Sequence, residues 1–323
     1  IYFRTGYRRR YTSTVMKEKK HHKKNLSARS ILSEITNTLL YEGYSIFPYH
    51  RSAIKNQKPI PFGVVYPRSY NSHNPHFPAE MRSECIVCGS KIFSVHITIC
   101  FLHLLKTNND GWQTVERRIE TENIITDELL INSQKIPFYF NGENENEILP
   151  IRGEVVIKTE AIENIDNAFK ISANVINNSL SADAKNLSRD EALRQSFLST
   201  HIILTATSGE FISSQDPPEK FGAAIAQCKN VGAWPILIGE ENTTMLCSPI
   251  IVYDHPEIHP QSKTDLFDST EIEEALMLHF AAMSDEEKNN IANSDEKLRA
   301  MFNKVSEVTP QEMIGLHGGM KYK

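Results

Sequence analysis

Two clusters of side chains in this sequence have the chemistry to hold a metal or to move a proton. The first lies in YDHPEIHPQSKTDLFDSTEIEEAL, where Asp254, His255, Glu257 and His259 are followed by Asp265, Asp268, Glu271 and Glu274. Carboxylates and imidazoles at this density suit a hard or borderline cation, and a carboxylate beside an imidazole suits general acid–base work. A metal-dependent hydrolase using Asp254, His255, His259, Asp265 and Asp268 is the enzymatic reading. The competing reading is a solvated face, or a docking face for a basic partner. The acids at steps of three cross a helix start near Thr270, where capping and the helix dipole favour them. Residues 254–297 hold twelve acids against three bases. His279 shares an apolar face with Ile272, Ala275 and Leu276, as a core histidine does.

The second cluster is CIVCG, Cys85 to Gly89, with the spacing of half a zinc knuckle and with His96, Cys100 and His103 nearby. Structural zinc needs four ligands converging tetrahedrally. A strand from Val95 would turn His96 and Cys100 to one side and His103 to the other. No second CxxC follows, so the segment is expected to be a strand end and turn carrying ordinary cysteines. The sequence has no GxSxG elbow, P-loop, dinucleotide fingerprint or HExxH. LHGGM near the end has the glycines of an oxyanion-hole loop but no nucleophile after it, and helix termination accounts for it better.

A third stretch, LLYEGYSIFPYHRSAIKNQ, could recognise rather than react. Tyr44, Phe47, Tyr49, Arg51 and Lys55, with His50, combine stiff aromatic area with cationic groups. Such a set can clamp an anionic group or form an interface hot spot. The plainer alternative is a loop whose aromatic rings pack on the fold while its charges stay in water.

The elements that must position these residues change character along the chain. Residues 27–41 read as a helix, with Ile31, Ile35 and Leu39 at a period near 3.6; Gly43 ends it. YPRSYNSHNPHFPAEM reads as an irregular surface loop. From about Met81 to Ser179 short β-prone runs follow one another: KIFSVHITICFLHLL, TVERRIE, KIPFYF, GEVVIKTEAI and FKISANVINNS. Their spacing predicts an antiparallel sandwich or open barrel. Beyond Ser181 an α+β module is expected. NLSRDEALRQSF reads as a helix, and HIILTAT-SG-EFISS as a hairpin with a Ser-Gly turn. DPPEKFGAAIAQCKN reads as a helix capped by Asp216 with Pro217 first and Glu219 completing a capping box. Its apolar face holds Phe221, Ala224, Ile225 and Cys228. AWPILI and TMLCSPIIVY read as strands, and helices are expected to start at Thr270, Ser284, Ser294 and Thr309. The fold class is therefore α+β, with units at 26–180 and 181–323 behind a basic, disordered tail at 1–25.

Composition limits the function. With 40% hydrophobic and 23% charged residues the 323-residue chain is an ordinary globular protein. VHITICFLHLL, its longest apolar run, is too short to span a bilayer, and no signal peptide is visible. Five scattered cysteines do not make a disulfide framework, so the cytoplasm is the expected compartment. IYFRTGYRRRYTSTV carries four arginines and no acid, and is expected to be translated upstream sequence before a start at Met16. The protein from Met16 then has a net charge of -9, which argues against nucleic-acid binding. KEKKHHKK is a solubilising tail. No cofactor is expected.

YEGYSIFPYHRSAIKNQ followed by FGVVYP, the phrase CKNVGAWPILIGEE, and SPIIVYDHPEI followed by DLFDSTEIEE together resemble a family of bacterial proteins. That family, which has no assigned reaction, is associated with gene clusters of uptake nickel–iron hydrogenases. The likeness runs from about Leu26 to the C-terminus. CIVC departs from the family pattern, where the first cysteine stands alone. The resemblance implies a non-enzymatic accessory protein for assembly or maturation of a nickel–iron hydrogenase or similar metalloenzyme. Its partner would be a hydrogenase subunit or maturation factor, met through the aromatic–basic stretch and the acidic C-terminal face.

Overall fold

The computed structural model of the protein describes residues 62–89, 93–106, 112–125, 133–143, 148–180, 184–239 and 241–256, with positions 284 and 303. The helix expected over 27–41, the stretch from Tyr44 to Lys55 and the helices after Thr270 lie outside the described residues.

Among the described residues, ten strands form two antiparallel five-stranded sheets. They are β1 (Glu80–Gly89), β2 (Phe93–Lys106), β3 (Trp112–Ile125), β4 (Gln134–Phe140), β5 (Ile151–Ala161), β6 (Ala168–Asn177), β7 (Leu198–Ala206), β8 (Gly209–Phe211), β9 (Trp234–Ile238) and β10 (Thr244–Ser248). The first sheet runs β4-β5-β6-β1-β8 and the second β3-β2-β7-β10-β9. Strict alternation explains β5: Ile151, Val155 and Ile157 face inward while Arg152, Glu154, Lys158 and Glu160 face outward. The inward residues of both sheets make one core, in which Cys85, Ile97, Phe101, Ile171, Phe197, Leu204 and Cys247 are buried. The β-rich sandwich expected from the sequence is present. Strands from both sides of residue 180 share its core.

Phe101 and Phe197 stack at 4.5 Å, and Phe138 lies 5.5 Å from Phe197, joining the sheets near their β3 and β4 edges. Gly153 makes room for this cluster, because a Cβ there would lie 2.5 Å from the Phe138 ring. Arg117 closes the same edge, its guanidinium 4.8 Å above the centre of Phe140.

The outer face of the second sheet is covered along β2, β7 and β10, while Arg118 and Glu120 of β3 stay exposed. Helix α1 (Arg68–Asn71) and the chain around it bring Tyr66, Tyr70 and Phe77 together, with ring centres 4.9–5.6 Å apart. These rings and α2 (Arg189–Leu193) lie over Cys100, Leu102, Leu198, Ile203 and Leu246. The segment read as a surface loop is thus a packed layer, because its aromatic residues bury apolar strand residues. Ser188 and Glu191 form a reciprocal capping box on α2, within the helix expected there. The side chain of Asn177 fastens this layer, donating to Val65 O and Gln195 O at 2.9 and 2.8 Å and accepting from Ser179 N.

A bulge sets the start of β7. Ser199 has φ +48°, and register slips by one residue between Cys100 and Leu102 of β2. The N–H groups of Ser199 and Thr200, turned out of the ladder, donate to Phe62 O and Gly63 O.

Two local expectations give way to longer-range bonding. Thr207 and Ser208 do not join a hairpin: β7 stays in the second sheet while β8 pairs with β1 in the first. Thr207 N donates to Ser94 O and Phe211 N to Asn242 O, so the Ser-Gly corner carries the chain between sheets. Nor does Asp216 cap a helix. A 3-10 turn at Glu219–Phe221 starts after Pro218 and leads into α3 (Gly222–Ala226). Asp216 N is instead bonded to the Ser213 hydroxyl. Phe221, Ala224, Ile225 and Cys228 do share a face, packed on Ile86 and Ala168 of the first sheet. No helix among the described residues is long and apolar enough to cross a membrane.

Candidate functional site

The first sheet leaves part of its outer face uncovered, and its register builds that surface. Arg82 of β1 pairs with Asn174 of β6, which pairs with Val156 of β5. One row further, Glu84, Ser172 and Lys158 line up, and beyond them Lys170 faces Glu160. Small Ser172 lies in the middle of longer charged side chains, and the result is a groove of about 410 Å³. Its floor is sheet, and one wall is the chain after α3, where Gln227 and Lys229 reach the groove.

That wall is fixed by specific bonds. Arg82 and Val231 exchange backbone hydrogen bonds of 3.0 and 2.8 Å, Glu84 N donates to Asn230 Oδ1 at 2.8 Å, and Lys229 N donates to Glu84 Oε2 at 2.8 Å. Lys170 Nζ lies 2.9 Å from Glu160 Oε2 and 4.0 Å from Glu84 Oε2, and Lys158 also pairs with Glu160. Hydrogen bonds from Lys158 and Lys170 hold the Glu160 carboxyl below its ordinary range, and Glu160 in turn raises Lys170. Arg82 is held by Glu80 at 3.4 Å, and Asn174 Nδ2 donates to the other Glu80 oxygen. Asn174 Oδ1 is buried without a partner among the described residues. The groove's lining carries four cations, Arg82, Lys158, Lys170 and Lys229, against two carboxylates, Glu84 and Glu160. It can hold carboxylate or phosphate oxygens by charge-assisted hydrogen bonds. A wider hollow of about 720 Å³ lies near Arg68, Tyr139, Arg152 and Leu180, and Arg152 Nε there donates to Asn178 O at 2.8 Å.

The residues singled out from the sequence fare differently. Tyr44, Phe47, Tyr49, Arg51 and Lys55 lie outside the described residues, as do His259, Asp265 and Asp268. Asp254 and His255 are described, and both fasten the chain after β10. Asp254 Oδ1 accepts from Leu237 N at 2.8 Å and its Oδ2 from the Ser213 hydroxyl. His255, at φ +53°, donates its backbone N–H to Leu237 O and has Nδ1 against Gly239 O.

CIVC lies in the second half of β1, which ends at Gly89 as a strand end should, and Cys85 and Cys88 point to opposite faces of the sheet. Cys85 lies in the core between the sheets, whereas Cys88 packs beneath α3. His96 is exposed and Cys100 buried on the expected common face, and His103 is buried. No three His, Cys, Asp or Glu side chains among the described residues are grouped to hold a metal. Burial pushes the thiols of Cys100 and Cys247 up to about 12 and Cys228 to about 11, which keeps them protonated and weakly nucleophilic. Burial also lowers His201 to about 4, and burial together with the charge of Arg117 does the same to His103. Bonding to Ser199 O assigns the His201 proton to Nδ1, and bonding to Arg194 O assigns the His103 proton to Nε2. Both imidazoles are structural and neutral at pH 7.

The chain matches no protein-family model and no curated protein. The groove itself escaped the sequence reading. Its signal is the alternation in MRSEC, VVIKTE and FKISAN, which puts polar side chains on one face of three strands. Only the pairing register shows that those faces meet.

Proposed function

We propose that this protein is a non-enzymatic accessory protein of the cytoplasm, acting by protein–protein contacts in the assembly or maturation of a nickel–iron hydrogenase or similar metalloenzyme. The resemblance from Leu26 to the C-terminus supports the choice of client. The observation that carries a binding role is the uncovered, charged groove on the outer face of one sheet, in a sandwich whose other sheet is overlaid along β2, β7 and β10. The cysteines and buried histidines of the sandwich serve packing, and Asp254 serves a chain fastening, which fits a scaffold better than a reaction centre. The aromatic–basic residues Tyr44, Phe47, Tyr49, Arg51 and Lys55 and the acidic face of an α+β C-terminal part with a helical end provide two further contact surfaces of opposite charge.

The test is recovery of partners. A tagged chain begun at Met16 is purified from its native host during hydrogen metabolism, and co-purifying proteins are identified by mass spectrometry. Recovery of a hydrogenase subunit or maturation factor, reduced by Arg51→Glu, is the expected result. Recovery of the chain alone overturns the reading.

A further inference from the structure

We infer that the groove on the outer face of β1, β5 and β6 is a docking site for an extended acidic peptide segment of a partner protein, with carboxylates at alternate positions. This deepens the accessory reading and rests on it for the partner's identity, though not for the chemistry of the site.

Charge comes first. The chain carries a net charge of -5, yet the lining of this groove has four cations to two carboxylates, and with Glu80 at its rim holding Arg82 the surface keeps a net positive charge. Its own carboxylates do not saturate the cations. Lys158 and Lys170 share the single carboxylate of Glu160. Glu84 has an oxygen occupied by the backbone of Lys229 and reaches Lys170 only at 4.0 Å. Lys229 makes no ion pair among the described residues, although the bonds of Glu84, Asn230 and Val231 hold its backbone over the groove. The fixed backbone keeps this unpaired lysine at the groove, so an incoming carboxylate needs to order only its side chain.

Spacing selects an extended peptide. Lys158 pairs with Ser172 and Lys170 with Glu160, so the two lysines are diagonal neighbours on one face of adjacent strands. Diagonal neighbours lie about 7–8 Å apart, and alternate residues of an extended chain repeat at about 7 Å. Two carboxylates on one side of an extended segment therefore meet the two lysines, while Ser172 between the rows leaves room for the backbone. A small anion fits less well. The cations stand around an open sheet floor instead of converging on one point, and exposed single ion pairs are worth about 0–1 kcal/mol. Several weak pairs acting together give the groove fast, salt-sensitive recognition.

The experiment uses the full chain and a short fluorescein-labelled peptide alternating glutamate and serine, with its glutamine counterpart, read by fluorescence anisotropy. The glutamate peptide is expected to bind, and raising salt to roughly 0.3 M should weaken it. Lys158→Glu with Lys170→Glu should weaken binding about tenfold or more. The exposed control pair Arg68→Glu with Lys185→Glu, of the same charge change, should leave it within about twofold. The milder Lys158→Gln with Lys170→Gln serves if charge reversal disturbs folding, checked by urea denaturation. A loss no larger than that of the control pair overturns the site. Equal binding of the glutamine peptide overturns the charge chemistry. Displacement by inorganic phosphate, too dilute to act as screening salt, assigns the groove to a small anion and overturns the peptide. Peptide binding at the groove without recovery of any hydrogenase protein would sink the accessory reading alone. Undiminished recovery of such a protein by the groove pair would sink this inference alone.

Discussion

The two sheets treat their outer faces in opposite ways. On the second, Leu102, Ile203 and Leu246 disappear under Tyr66, Tyr70, Phe77 and α2. On the first, the matching positions hold Lys158, Lys170 and Ser172, which remain within reach of solvent, and Glu84, which is buried against the chain after α3. Apolar residues on both faces of β2, β7 and β10 commit that part of the second sheet to a stability role. The first sheet has an apolar face toward the core, and its other face is free to specialise. Substitutions should therefore read out as folding free energy on one side and as binding on the other.

The sharpest way to break this comparison is Leu102→Ala, which empties space beneath the overlaid layer. A loss of about 2–5 kcal/mol is expected in urea unfolding, against a change within about 0.5 kcal/mol for Ser172→Ala. Similar losses at both positions would mean that the charged face is packed too. Asn177→Ala comes next, taking from Gln195 O its side-chain donor, from Val65 O one of two donors and from Ser179 N its acceptor. It should cost about 2–3 kcal/mol and expose the 62–79 segment to limited proteolysis before the sheets open.

Acid should act on the second sheet first. His103 and His201 have folded values near 4 against the ordinary 6.5, so the unfolded chain takes up protons that the folded one refuses. Their neutral state supports the fold fully above pH 6.5, and this contribution is lost as pH falls toward 4. At pH 5 the loss is about 2 kcal/mol for each fully buried histidine. His201→Gln should flatten that part of the stability–pH curve by about half. The smallest effect belongs to Glu160→Gln. It removes a carboxylate shared by two partly exposed lysines, should change stability by no more than about 1 kcal/mol, and should tighten the glutamate peptide.

Much of the sandwich was legible because strand alternation is a local property. VVIKTE and FKISAN announce one buried face each, and the five runs between Phe93 and Asn177 fall where their patterns place them. The misreadings arose where local chemistry lost to distant pairing. Ser208-Gly209 has the residues of a tight turn, but Ser94 and Asn242 claim the neighbouring backbone groups. Asp216 and Pro217 look like a helix start, yet the Ser213 hydroxyl takes the backbone N–H of Asp216. Cys85 and Cys88, by contrast, were expected to be ordinary cysteines despite their metal-like spacing, and β1 turns them to opposite faces. The candidate groove draws on three strands and a loop up to 147 positions apart, as the Ser83–Asn230 contact shows, and no local pattern encodes such a register. Of the acidic metal cluster, only Asp254 and His255 fall within the described residues, and their bonding to Leu237, Ser213 and Gly239 depends on the same long-range placement.

The pairing of β2 with β7 has a consequence for synthesis. Residues 93–106 can fold back on β3 soon after leaving the ribosome, but their other neighbour is residues 198–206. At about 5–20 residues per second, the free edge of β2 waits roughly 5–20 s for its partner. During that interval the edge of β2 with Val95, Ile97, Leu102 and Leu104 lacks its strand partner, although β1 and then β4–β6 are synthesised before β7. Chaperone supply, temperature and translation speed should thus govern the yield of this protein more than the stability of the finished molecule does.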